Sequence, residues 1–357
     1  MFVELEEADE NTQIMDNKVN KQQDDISIQV QFILYATVGA VSLTCNSLIF
    51  FVIGTNKAMS TKSNLLLLSL AATDWLTIIV GIPVHLVNLL TDVKSAGLIC
   101  DVLGFLILIP FLVSNLNLTL IAVHRYFLVV RNNLYRGLFT DRNTNLFIGS
   151  VWVLGVVLAA PPLCGWGNFS YNRDRSHCMV DWQHSVTYLL FLQILAYPAP
   201  TCTMCFCYYK IIKYSRASTK RVKPSTSSSD NRRVARKKRE MRLSVMLIIV
   251  VSSFFVLYLP YAVLILYEGM AGGTPSQTFS FIATLAAYSN SMIDFWIYAA
   301  MSTKFRQALN RLWNSLTIIC CRQRRRDHLV SLAVSSCSDH GQTDRSINSR
   351  NTCAIES

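Results

Sequence analysis

The stretch from Cys100 to Arg131 constrains this chain more than any other. It opens on a cysteine, runs apolar with a few uncharged polar residues, and reaches its first basic residues at His124-Arg125-Tyr126. Cys100 to Arg125 is 25 steps, about 37 Å as an α-helix, enough to cross a bilayer with some tilt. Taken alone, the run also suits a buried helix of a soluble protein. Six more runs of the same kind, at about 28–53, 64–90, 146–163, 186–214, 243–267 and 279–301, weigh against that. Only 15% of the 357 residues are charged and 52% are hydrophobic, which fits a polytopic membrane protein better than a soluble one. The expected fold is an all-α membrane protein, a seven-transmembrane-helix bundle followed by a short amphipathic membrane-surface helix.

The net charge of +11 would suit nucleic acid until it is mapped. Lys57 and Lys62 follow the first run, Arg131, Arg136 and Arg142 the third, and nine Lys/Arg lie between 220 and 239 after the fifth. The alternate loops carry chiefly Lys94, Arg173 and Arg175. Basic loops stay cytoplasmic. The reading is a plasma-membrane, multi-pass protein with its N-terminus outside, in contact with lipids and not with nucleic acid.

Residues 1–27 are acidic and polar and lack the basic start and apolar core of a signal peptide; they read as a disordered extracellular tail. The seven-helix domain is placed at 28–301. In 302–319, Phe305, Leu309, Leu312 and Leu316 recur at helical spacing opposite Arg306, Gln307, Asn310 and Arg311, the pattern of an amphipathic helix on a membrane surface. Residues 320–357 read as a disordered cytoplasmic tail. There Cys320 and Cys321 beside Arg322 suit palmitoylation next to a polybasic patch, with unmodified cysteines as the alternative. Ser331, Ser335, Ser336 and Ser338 are candidate phosphosites.

Asp74 is the most expensive residue in the chain, because a carboxylate in mid-span costs several kcal/mol unless paired or hydrated. Asp294 in the seventh run is a second, and Ser114, Asn290 and Ser291 offer oxygens at similar depth. Two readings stay open and equal: a hard-cation cage small enough for sodium, or a carboxyl pair sharing a proton with a purely structural role. Arg125 ends the third run at the cytoplasmic edge. It is either a snorkelling arginine or the partner of Glu240 across the inner ends of the third and sixth runs, a pair whose breaking would open the bundle. Cys100 and Cys178 both face the oxidising side, which favours a disulfide over two free cysteines. Asn168 begins an Asn-Phe-Ser glycosylation sequon on the outer side. No zinc-protease, nucleophile-elbow or phosphate-loop motif is present, so the chain is not expected to be an enzyme. Nor does it repeat broken half-helices in two halves, as a transporter would.

In order and spacing these residues resemble the rhodopsin-like (class A) G-protein-coupled receptors, over about 28–321. The marks are Asn46; Asp74 in LSLAATD; Cys100; Arg125 and Tyr126 after His124; Trp152; Pro200 with Tyr208 eight residues on; Phe254 and Pro260; Asp294 to Tyr298; and Lys304-Phe305-Arg306. The resemblance implies that Arg125, Tyr208 and Tyr298 rearrange on activation, as span six moves outward and opens a cleft for a heterotrimeric G protein. It also implies a sodium site at Asp74, Ser114, Asn290 and Asp294 and the Cys100–Cys178 disulfide, with arrestin and receptor kinases as candidate partners of the tail. Three positions depart from the family pattern: His124 stands in place of an acid, Tyr258 in place of a tryptophan, and Phe295 in place of a proline.

Ile107 takes the place of the aspartate of aminergic receptors, which argues against a biogenic amine. The segment from Pro161 to Asn172 looks like opsins, and the middle of the chain looks weakly like melatonin receptors. Tyr288, however, occupies the place of the opsin lysine, so no covalent retinal is expected. The ligand pocket is placed at His85, Asn88, Ile107, Gln193, Tyr197, Tyr258, Tyr261 and Tyr288, an aromatic, nearly uncharged set fit for a small lipophilic or weakly polar molecule. For any one of these residues, helix packing is the competing role. A ligand-independent, constitutively active membrane protein is the alternative function, and a channel or transporter is a more distant one.

Overall fold

The computed structural model describes the backbone of residues 2–56, 59, 61–91, 97–172, 175–221, 228–271, 275–301, 303, 305–314, 317 and 323. Within that set it describes all side chains except those of 2–27, 218–221, 228–240, 243 and 301. The chain divides into two units, Met1–Thr303 and Lys304–Ser357. In the second unit residues 305–314 are helical, with Arg306, Gln307, Asn310 and Arg311 exposed. Cys320, Cys321 and the tail phosphosites lie outside the described residues.

The first unit is a helical bundle. α1 is Phe2–Thr55, α2 Lys62–Leu76, α3 Ile82–Thr91, α4 Leu98–Val129, α5 Asn132–Leu138, α6 Asp141–Ala159, α7 Val186–Leu195, α8 Pro198–Arg221, α9 Ser228–Ala271 and α10 Gln277–Met301. Among the described residues, six stretches are long and apolar enough to span a membrane: Ile28–Thr55, Lys62–Thr91, Leu98–Val129, Asp141–Ala159, Val186–Ala217 and Ser244–Ala271. α10 packs beside them against α1 and α9. Its apolarity is diluted by Ser280, Thr284, Ser289, Asn290, Ser291 and Asp294, all of which except Ser289 are buried.

Two of the spans are interrupted. A π-helical turn, Thr77–Gly81, joins α2 to α3. α7 and α8 are separated at Ala196 and Tyr197, ahead of Pro198 and Pro200. Pro200 has no N–H to give the carbonyl four residues back. That carbonyl, Ala196 O, accepts instead from the Asn115 side-chain amide of α4, the kind of substitution that lets proline sit inside a span.

α4 is the central element, packed against α2, α6, α8, α9 and both strands. At Gly155 of α6 a Cβ would come within 2.2 Å of the Val113 side chain, so the close approach of α6 to α4 requires glycine. The Trp152 indole donates to Ser69 Oγ (3.0 Å), which donates to Asn117 Oδ1 (3.0 Å), joining α6, α2 and α4 by buried polar bonds.

One end of the bundle carries a two-stranded antiparallel hairpin, β1 (Phe169–Asn172) and β2 (His177–Val180), with Phe169 opposite Val180 and Asn172 opposite His177. β2 is buried along its whole length. A disulfide ties Cys178 to Cys100 at the start of α4. β1 lies on α4 so closely that a Cβ at Gly104 would come within 2.4 Å of the Phe169 ring. Sequence put both cysteines on the outer side; the strand pairing, of which it showed nothing, turns that loop into a roof.

Candidate functional site

Beneath the roof lies a cavity with about 100 Å³ open to the centres of water-sized spheres. Ile107, Gln193, Tyr197, Tyr258, Tyr261 and Tyr288 all line it. Phe111 and Tyr258, both in the lining, pack against each other with ring centroids 5.0 Å apart. His85 and Asn88 are buried but are not in the lining. The π turn explains the difference, because its extra residue rotates everything after it relative to a regular α-helix. His85 stacks on Tyr35 of α1 instead, with centroids 3.9 Å apart, while Thr77, in the π turn itself, reaches the cavity.

The roof supplies lining residues that sequence reading did not name: His177, Met179, Val180 and Trp182. His177 Nδ1 lies 2.7 Å from the Arg175 carbonyl. A carbonyl only accepts, so Nδ1 carries the hydrogen and Nε2 keeps its lone pair. Burial, the neighbouring His85 and the Arg175 charge hold the His177 imidazole down at about 3, which keeps it neutral.

Arg175, expected only as a loop charge, has a fully buried side chain, and its Nη2 donates to both carboxylate oxygens of Glu268 in α9, an ion pair in which Nε and Nη1 meet no acceptor among the described residues. Its guanidinium also lies over Tyr261, 5.8 Å from the ring centroid. The hairpin is therefore fastened to α4 by a disulfide and to α9 by a buried charge pair. Only a partial signal of this was available: Glu268 interrupts the apolar run of α9 in its last turn, and Arg175 is three residues from Cys178.

Tyr258 also connects the cavity to the interior below. Its ring packs on Phe254, with centroids 4.5 Å apart. A second, small cavity lies against Asn46, Asp74, Asp294 and Tyr298, with about 10 Å³ open to water centres, room for about one water molecule or small ion. Asp74 is held by the side chains of Ser291 and Asp294. Asn46 Nδ2 donates to Ser291 O (2.7 Å) and Ser42 O (3.0 Å), tying α1 to α10. Asp74 Oδ2, Ser114 Oγ and Asn290 Oδ1 are buried oxygens that no protein donor reaches. Ser114 and Asn290 do not line this cavity; the donors that do, the Asp74 and Asp294 carboxylates with Asn46 and Tyr298, are hard oxygen groups that fit the sodium ion the family resemblance implies.

At the opposite end Arg125 is buried beside His124. His124 Nε2 is 3.2 Å from the Tyr135 hydroxyl of α5, and its ring meets Phe139 edge-on at 4.8 Å. Lys62 donates to Phe139 O (2.6 Å) and pairs with Asp141 (3.5 Å), holding the same loop from α2. Tyr208 and Tyr298 are both buried, within electrostatic reach of Arg125. Pro260 lies inside α9, and Tyr126 packs against Phe206. The Glu240 side chain lies outside the described residues. Asn168 is exposed just before β1.

The family model described as 7 transmembrane receptor (rhodopsin family) matches residues 45–298. G-protein coupled receptor 52 of Mus musculus is 28% identical over 251 residues, 68% of this chain and 69% of that one. Galanin receptor type 1 of Homo sapiens is 26% identical over 310 residues, 84% of each chain. The crystal structure of squid rhodopsin superposes with a TM-score of 0.72 at 23% identity, covering 83% of this chain and 88% of that one.

Proposed function

Because the chain belongs to the rhodopsin family of seven-transmembrane receptors, we propose that it binds a small, lipophilic or weakly polar molecule arriving from outside and passes the event to a heterotrimeric G protein. The hairpin end faces outward in this reading and the N-terminus is extracellular at the plasma membrane. The disulfide, the exposed Asn168 sequon and the basic loops at the other end support that orientation. A galanin receptor and a rhodopsin both resemble the chain, so its ligand class has to come from its own cavity.

One observation carries the reading: Tyr258 lines the cavity and packs directly on Phe254 below it. A ligand that fits differently against Tyr258 in two positions of α9 has the differential affinity needed to shift that helix. Outward movement of α9 then exposes the cleft around Arg125, Tyr208 and Tyr298, where the G protein docks. Arrestin and receptor kinases act on the 320–357 tail. Arg125→Ala is expected to abolish nucleotide exchange on G protein while surface expression persists. Unchanged exchange would remove Arg125 from the switch.

Asp74 and Asp294 would hold the sodium ion, whose charge offsets the buried carboxylates and favours one arrangement of the spans. Asp74→Asn is expected to remove the sodium dependence of agonist binding, and a sodium effect that persists would count against the site.

High ligand-independent signalling is a second reading. His124 favours it, because its ring is bonded to Tyr135 and brings no negative charge to Arg125.

A further inference from the structure

At the Arg125 end of the bundle, the strip where α4 meets α8 carries cations that no carboxylate answers. Lys62, at the same end, shows the ordinary arrangement, because it pairs with Asp141. α5 and α8 contain no Asp or Glu, and α4 has none after Asp101. Among the described residues, Arg131, Lys210, Lys213 and Arg216 have no acidic partner.

Aromatic rings hold three of these cations in place. Tyr126 of α4 packs on Phe206 of α8, ring centroids 5.9 Å apart. Arg131 Nε donates to the Tyr126 hydroxyl (3.4 Å), which turns the guanidinium back along α4 toward that ring pair. The Lys210 ammonium lies 5.3 Å from the Phe206 centroid, and the Lys213 ammonium 5.9 Å from the Tyr209 centroid. A cation near a ring is attracted by the negative charge of its face, so these side chains are ordered before any ligand arrives. Arg131, Tyr126, Phe206 and Lys210 thus form one unbroken run of contacts from the end of α4 to α8. Basic residues and tyrosines at the ends of spans ordinarily mark the membrane boundary. What sets this strip apart is that cations of two helices share one aromatic floor.

The exposed face of α8 changes character along its length. Cys202, Cys205, Phe206 and Tyr209 are exposed and uncharged, at helical spacing i, i+3, i+4 and i+7. Lys210, Lys213 and Arg216 continue the same face at i+8, i+11 and i+14. An apolar strip that ends in unanswered cations has the polarity of a phospholipid. Free phosphate would suit only its second half. Basic pockets between spans at the membrane boundary hold inositol phospholipid headgroups by this charge. The arginine fork and the two ammoniums rest on different rings, so a headgroup with several phosphates engages more of them than one with a single phosphate.

We propose that the strip between α4 and α8 binds a phosphoinositide of the leaflet at the Arg125 end, its phosphates on Arg131, Lys210 and Lys213 and its acyl chains along Cys202 to Tyr209. The orientation proposed above makes that leaflet the cytoplasmic one. Nanodiscs present lipid on both faces, so they test the site whichever way the receptor is oriented and whether or not it couples to G protein.

The test is thermal unfolding of the purified full-length receptor in phosphatidylcholine nanodiscs, with phosphatidylinositol 4,5-bisphosphate added at rising mole fraction. Phosphatidylserine matched in total lipid charge controls for surface potential, and inositol 1,4,5-trisphosphate for free phosphate. The phosphoinositide is expected to raise the unfolding temperature, the charge-matched phosphatidylserine to raise it less, and the soluble trisphosphate to leave it unchanged. Lys210→Gln and Arg131→Gln, on different helices, should each raise the half-saturating mole fraction about fivefold, and Lys210→Gln with Lys213→Gln about twentyfold. Arg142→Gln with Arg311→Gln removes the same charge from exposed positions off the strip and should change it less than about twofold. Since the strip cations have no acidic partner to lose, every strip variant should keep the wild-type unfolding temperature in phosphatidylcholine alone.

Equal stabilisation by charge-matched phosphatidylserine would reduce the strip to ordinary surface charge and overturn the proposal. So would a loss in the Arg142 and Arg311 variant as large as that in the Lys210 and Lys213 variant. Stabilisation by the soluble trisphosphate equal to that by the lipid would remove the acyl strip from the site. No phosphoinositide effect at any mole fraction, or one that all the strip variants leave unchanged, removes the site itself.

Discussion

Two arginines mark the two ends of the bundle, and their surroundings differ in kind. Arg175, in the hairpin connection, is buried in an ion pair with Glu268, a few residues from the Cys100–Cys178 disulfide. Arg125, at the opposite end, stands beside an imidazole that is bonded to the adjoining loop. The hairpin end is held by a covalent bond and a desolvated charge pair. The opposite end is held by the His124–Tyr135 hydrogen bond, by the edges of aromatic rings and by the ion pair of Lys62 with Asp141, whose carboxylate is exposed to solvent. The contrast places the stiffness over the cavity and leaves the compliant region where a signalling partner would enter.

The largest effect is expected at the stiff end. Glu268→Ala leaves a fully buried guanidinium without its carboxylate, which costs about 3–5 kcal/mol when a buried pair is broken from one side. The unfolding temperature of the purified receptor should fall accordingly. The double variant Arg175→Met with Glu268→Leu should recover most of the loss, since no orphan charge remains. A loss below about 1 kcal/mol for Glu268→Ala would place the pair among surface-like salt bridges and erase the contrast between the ends.

A smaller effect comes from pH. Folding lowers the His177 pKa from the ordinary 6.5 to about 3, first by burial and then through His85 and Arg175. The unfolded chain therefore binds a proton more readily than the folded one between those values. Stability is complete above 6.5 and is lost as pH falls toward 3, by about 2 kcal/mol at pH 5. Unfolding temperatures measured across this range should fall with acid in the wild type and more shallowly in His177→Gln. Equal slopes would show that His177 does not carry the acid sensitivity of the roof.

The sequence revealed the two ends unequally. The spans were legible because a bilayer admits only long uncharged runs, and Asp74 and Asp294 were legible because the same solvent makes mid-span carboxylates expensive. Six of the eight residues placed in the pocket line the cavity; His85 and Asn88 do not, because nothing in their spacing announces a π turn five residues long. The Arg175–Glu268 pair joins residues 93 positions apart, and no local periodicity links a loop arginine to a helix end. Loop charges mark topology in a membrane chain, and nothing in the sequence sets apart the one that the strand pairing buries. His124 was legible as a departure from the family pattern, but its partner was not, since contact with Tyr135 depends on how the loop folds back as α5.

The smallest effect belongs to that compliant end and decides what its softness does. His124→Asp exchanges the imidazole for a carboxylate beside Arg125. An ion pair there is expected to add about 0.5–1 kcal/mol to the arrangement in which Arg125 is held, lowering ligand-independent nucleotide exchange roughly two- to fivefold. The aspartate also gives up the edge contact with Phe139, so a matched His124→Asn variant separates charge from shape: asparagine has the aspartate's size but no charge. If aspartate lowers basal exchange and asparagine does not, the neutral residue in wild type is what leaves the inner end free to open. If both variants leave basal exchange unchanged, the bond to Tyr135 restrains that end as well as an ion pair would, and the bundle is equally closed at both ends.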